Sequence, residues 1–148
     1  MPRPAVTVVA LALAGLVVGC GDHGAAGTPA GAVRSYNDAV AGGDGQRACD
    51  LLDPSAQAEL RRSAQGQARS SCRQVVEALA AFYDDATKER LRAARVAVAQ
   101  QSDRAWARFT SPVAFGGPQR AATYELRRAG DRWKITSLGA ADPGTGGP

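Results

Sequence analysis

The spacing of the apolar residues changes once along this 148-residue chain, and that change limits the fold more than any single motif. Up to residue 83 the apolar positions recur at helical intervals; from residue 94 onward they alternate, as in a strand. Thr28-Pro29 supplies an N-cap and a proline at the first helical position. Val33, Tyr36, Asn37 and Val40 follow at helical spacing, and Gly42-Gly43 stops the helix. A short second helix runs from Gln46 to Leu52, and Asp53-Pro54 starts a third that reaches Leu60. Ser71-Cys72-Arg73-Gln74 has the spacing of a capping box. It opens the most amphipathic segment, with Cys72, Val75, Val76, Leu79, Phe82 and Tyr83 on one stripe, and Asp84-Asp85 reads as its solvated end.

The second half reads as strands. Ala94 to Ala99 alternates through Val96 and Val98, Gln101-Ser102-Asp103 turns, and Arg104 to Thr110 carries Trp106 and Phe109. A Pro/Gly stretch, Pro112 to Pro118, precedes the best hairpin, Ala121 to Arg128 and Arg132 to Leu138 around Gly130-Asp131. Helices followed by hairpin-linked strands predict an α+β fold with an antiparallel sheet. The stripe of Val76, Leu79 and Tyr83 is the expected cover for that sheet, packing on Trp133.

The ends read differently. Arg3 and the uncharged apolar run Ala5 to Val18 have the layout of an export signal, too short to span a bilayer as a helix. The junction Leu16-Val17-Val18-Gly19-Cys20 resembles a bacterial lipobox. That resemblance implies cleavage before Cys20 and a diacylglyceryl group on its sulfur, whose two fatty-acyl (palmitate) chains are what stable attachment needs. The expected organisation is a signal peptide (1–19), a lipidated flexible tether (20–31), one domain (32–138) and a disordered tail (139–148).

Three cysteines would leave an odd thiol in an exported chain. Acylation of Cys20 removes it and leaves Cys49 and Cys72, which are expected to bridge in an oxidising compartment. Two buried thiols are the alternative.

Several short stretches are similar to the nuclear transport factor 2-like, or cystatin-like, superfamily of small bacterial secreted proteins. They are Ala32-Val33-Arg34-Ser35-Tyr36, the Gly43-Asp44 turn before the helix with Cys49, Cys72 on a later helix, and the hairpin end Gly130-Asp131-Arg132-Trp133-Lys134-Ile135. The resemblance implies N-terminal helices packed on a curved antiparallel sheet, a cone-shaped roll with an open mouth. That fold hosts enzymes and binding modules alike.

Chemistry is sparse in the residues. One histidine, His23, lies in the tether, with no G-x-S-x-G around any serine, so a nucleophilic triad is not expected. No CxxC or HxxxH spacing suggests a metal, and no cofactor is expected. Ala41-Gly42-Gly43-Asp44-Gly45 follows a helix and lacks a lysine, so it reads as a turn and not a phosphate loop. Carboxylates remain, with Asp38 or Asp50 beside a pocket lined by Tyr36, Tyr83, Trp106 and Tyr124, but none stands alone in an apolar strand. No catalytic residue is therefore assigned.

The chain carries a charge of +4, with sixteen arginines and two lysines. Arg61, Arg62, Arg69, Arg73, Arg90, Arg92 and Arg95 read as a solvated face, with a patch for anionic headgroups or an acidic partner as the alternative. Nucleic acid is not an expected partner outside the cytoplasm. The expected function is a non-enzymatic lipoprotein on the outer face of a bacterial cytoplasmic membrane. Its cone would bind a small apolar ligand or an envelope protein. A small isomerase- or dehydratase-type enzyme in the same cone is the alternative.

Overall fold

The computed structural model describes residues 25–64, 71–111 and 120–139. Thr28 starts α1 (Pro29–Gly42): its Oγ1 accepts from the Gly31 N–H at 3.0 Å, and Gly43, at φ 73°, ends the helix in the left-handed conformation. Asp44 caps α2 (Gly45–Asp50) and Asp53 caps α3 (Pro54–Ser63), each carboxylate accepting from backbone N–H groups in the first turn. Ser71 and Gln74 form the reciprocal capping box of α4 (Cys72–Phe82).

A fifth helix, α5 (Asp85–Arg92), was not expected. Asp84 is its N-cap, accepting from the Thr87 N–H at 2.7 Å. An aspartate pair marks a helix start as readily as a solvated helix end.

The strands are β1 (Val96–Gln101), β2 (Arg104–Ser111), β3 (Arg120–Ala129) and β4 (Arg132–Ser137), an antiparallel meander in sequence order. The fold is α+β, as the change of period predicts. Gly130 supplies the positive φ, 67°, that the last hairpin requires. Phe109 faces Val96 and Ala122, Ala107 faces Tyr124, and Leu126 faces both Ala105 and Ile135. These residues form the core side of the sheet, with Trp133 and Ile135 at 1% and 0% exposure. The outer edge of β4 is closed by the α2–α3 connection. Asp53 N–H donates to Ile135 O and Ile135 N–H to Leu51 O, both at 2.9 Å. That edge therefore offers no ladder to another chain.

The helix over the sheet is not the expected one. β4, which carries Trp133, meets α1 and α3, while α4 packs on α1, α2 and α3. α1 also touches β1, β2, α2 and α5. Ala32, Val33, Tyr36, Asn37, Ala39 and Val40 bury it on most sides. A strongly one-sided helix such as α4 has a solvent face, so it belongs at the periphery; the central helix shows little contrast.

Cys49 and Cys72 form a disulfide between α2 and α4, with Cα atoms 6.1 Å apart and a sequence separation of 23. Gly45 lies against α4 so closely that a Cβ there would sit 2.6 Å from Arg73 O. At the other end, Ala25–Gly27 form a 3₁₀ turn against α1 and β4, and Ala26 is buried. Residues 25–31, expected as tether, thus belong to the packed structure. The apolar run, Cys20, His23, the stretch 112–118 and residues 140–148 lie outside the described residues.

Candidate functional site

α1 places two consecutive side chains, Tyr36 and Asn37, toward a cavity of about 270 Å3 bounded by α1, α3, α4, α5 and β3. Tyr36, Asn37 and Val40, with Leu60 and Leu91, make a buried floor. Glu59, Leu79, Tyr83, Tyr124 and Leu138 are partly exposed and form the walls and rim. Tyr124 stands on β3 opposite Ala107, packed edge-on against Phe109 at 4.7 Å between ring centroids.

The electrostatics of the cavity have one sign. Burial holds the Tyr36, Tyr83 and Tyr124 phenols above their ordinary range. For Tyr124 the other two phenols and the Glu59 carboxylate push in the same direction. These hydroxyls stay protonated. Glu59 Oε2 accepts from Leu138 N–H at 3.0 Å and Ser137 Oγ at 3.2 Å, clamping the end of β4 to α3. No Lys or Arg among the described residues forms an ion pair with it. Asn37 is 2% exposed, and its buried Oδ1 accepts no hydrogen bond. Such an orphan acceptor costs about 1–3 kcal/mol unless something fills its place.

The cavity gathers three of the four expected pocket residues. Trp106 is the exception and is corrected: it lies on the opposite face of β2, across from Ala99 and Glu125, with the Arg104 guanidinium 5.7 Å from its ring. Trp106 and Phe109 are three apart, an odd step that puts them on opposite faces; the inward set is Ala105, Ala107 and Phe109. Asp38 and Asp50 are both exposed and stand outside the cavity.

Two functional groups were missed, and both carried a signal. Glu59 falls in the stripe of Ala56 and Leu60 on α3, a carboxylate at an apolar helical position, whereas the carboxylates were weighed against strand patterns. Asn37 occupies an apolar position of α1.

A second cavity of about 330 Å3 lies beside α2, lined by Asp44, Gln46, Arg47, Asp50 and Arg132. Most of its polar groups satisfy one another: Asp44 accepts from Arg47 N–H, Gln46 Nε2 donates to Asp50, and Lys134 Nζ donates to Asp50 O. Arg132 Nε is buried without a partner there. Among the described residues no cluster of His, Cys, Asp or Glu is arranged to hold a metal. No described helix is long and apolar enough to cross a membrane. Arg61, Arg62, Arg73, Arg90, Arg92 and Arg95 are exposed, and two of them pair along their own helices, Arg73 with Glu77 and Arg92 with Glu89. Arg69 is outside the described residues.

No protein family and no curated protein matches this chain. Among solved structures it is similar to a SEC-C motif containing protein from Rhodopseudomonas palustris. The identity is 23%, the TM-score 0.54, and the match covers 80% of this chain and 82% of that one. At that identity the likeness shows the fold alone. It also corrects the resemblance drawn from short motifs: no comparison points to a lipoprotein of the nuclear transport factor 2-like or cystatin-like superfamily. The residues that suggested it, a Gly-Asp helix stop and a Gly-x-x-Trp-x-Ile hairpin end, are local turn and burial chemistry. Any α+β meander with a buried last strand can require them.

Proposed function

We propose that this chain is an exported, non-enzymatic binding protein, held on the outer face of a bacterial cytoplasmic membrane by a lipid on Cys20, whose tyrosine-lined cavity takes a small ligand. The observation that carries the binding role is the cavity itself, a half-open space of about 270 Å3 whose floor is made of core residues and holds the unpartnered Asn37 Oδ1. Export is supported by the signal-like run before Cys20 and by a disulfide of the kind that persists in oxidising compartments.

The enzyme reading draws on Glu59 and the protonated tyrosines. A proton-abstracting carboxylate needs a free, raised-pKa site deep in the pocket. Glu59 stands at the rim, and its Oε2 is already engaged by Leu138 N–H and Ser137 Oγ. That arrangement suits charge presentation better than proton transfer.

Fractionation of a bacterial host, followed by mass spectrometry of the natively extracted protein, tests the proposal. The mature chain should begin at an acylated Cys20 and carry a small molecule that is absent after Leu79→Trp, which fills the cavity. Cys20→Ala should release the protein from the membrane or block its maturation. Unchanged membrane retention in that variant removes the anchor. An empty wild-type cavity under native extraction removes the binding role.

A further inference from the structure

Building on the binding role proposed for the cavity, we infer that its ligand is a small organic cation, an ammonium with a compact apolar body. The chain carries 18 Lys and Arg residues, yet among the described residues no lysine or arginine lines this cavity. In so basic a chain that exclusion sets the sign of the site. Its oriented acceptors are the Asn37 amide oxygen and the Glu59 carboxylate, beside tyrosine hydroxyls that can donate or accept and Ser63, whose Oγ donates to Leu60 O. Asn37 lies at the floor with its Oδ1 buried and unpartnered, where a donated N–H or O–H would satisfy it. Glu59 is an acid at the rim: among the described residues it has no cationic partner, and its Oε1 accepts no hydrogen bond while Oε2 is held by Leu138 and Ser137. Three tyrosine rings complete the lining, and the face of an aromatic ring attracts cations.

Other ligand classes fit less well. A carboxylate or phosphate would meet Glu59 with no cation to offset it. A purely apolar molecule would leave Asn37 Oδ1 orphaned and strip water from Glu59 without return. An ammonium is offset by the Glu59 carboxylate and lies among the tyrosine rings. Size sets the body: a cavity of about 150 Å3 accommodates benzene, so 270 Å3 suits one ring plus an aminomethyl group.

Calorimetric titration of the full-length exported chain with three near-isosteres separates the possibilities. Benzylamine carries the charge, benzyl alcohol keeps a neutral donor, and toluene keeps only the ring. Benzylamine should bind about tenfold more tightly than benzyl alcohol at neutral pH, as a charge-assisted contact implies. The gap should narrow to about threefold or less in Glu59→Gln, which keeps an acceptor for Leu138 and Ser137. Equal binding of benzylamine and benzyl alcohol overturns the cation while leaving a binding cavity in place. Tightest binding by toluene does the same in favour of an apolar ligand. Binding of none of the three overturns both readings. The wild-type comparison decides by itself if Glu59→Gln does not fold.

Discussion

Tyr36 and Tyr124 meet edge to face, with ring centroids 5.9 Å apart and planes inclined at 80°. One ring belongs to the central helix and the other to the third strand, so this contact joins the two layers where the cavity begins. The third tyrosine of the chain, Tyr83, lines the same cavity. Tyrosine spectroscopy on this protein therefore reports one site.

Alkaline titration follows from that placement. All three phenols are held above their ordinary range of about 10, chiefly by burial. A group whose folded pKa is raised contributes stability that is fully present below its unfolded value and is lost as pH rises through the folded one. The tyrosinate absorbance should lag free tyrosine above about pH 10 and then rise together with loss of circular dichroism. Independent titration of all three phenols near the free value, with the fold intact, would contradict the buried cavity.

Gly45→Ala tests the approach of α2 to α4. The new methyl would lie 2.6 Å from Arg73 O and 3.1 Å from Arg73 Cα, both backbone atoms that cannot swing aside. Stability should fall by about 1–3 kcal/mol, the usual cost of overpacking. Gly42→Ala, with nothing within 4 Å, should be neutral or stabilising by about 1 kcal/mol or less. Denaturant melts of both variants give the comparison, and equal effects would mean that the helices stand further apart.

Trp133→Ala should cost about 3–5 kcal/mol, because the ring is 1% exposed between the sheet and the helices over it. Lys134 differs from a bare surface residue, since its Nζ donates to Asp50 O. Lys134→Ala should cost about 0.5–1.5 kcal/mol, the net worth of one hydrogen bond. Urea midpoints at unchanged slope measure both, and a Trp133→Ala loss no larger than that of Lys134→Ala would place the last strand outside the core.

Replacing Cys49 and Cys72 together by Ser should lower stability by about 3.4 kcal/mol on the chain-entropy estimate. Non-reducing peptide mapping of exported protein should recover the two cysteine peptides linked. Full alkylation without prior reduction would exclude the bridge.

Features with local causes were legible in the sequence. The Thr28-Pro29 start, the Gly43 stop, the Ser71–Gln74 box and the Gly130 turn each depend on a few neighbouring residues. The inward face of β2 was harder, because Ala105 and Ala107 carry it and small residues give weak alternation beside the bulky Trp106. The position of α1 was hidden for a related reason: a helix buried on most sides has little amphipathic contrast to read. Asn37 and Glu59 were overlooked because a polar residue in an apolar stripe reads as a tolerated exception until its surroundings are known.

The way the final strand is fastened has a consequence for a chain emerging from the ribosome or through a membrane pore. The Cys49–Cys72 staple lies wholly within the early part of the chain. Leu51 and Asp53, by contrast, wait for Ile135, and Glu59 waits for Ser137 and Leu138. A nascent chain halted at Gly130 can thus be oxidised at both cysteines yet still lack the wall that positions Glu59. Completion of the cavity wall is therefore timed to the arrival of Ser137 and Leu138, well after the disulfide can form.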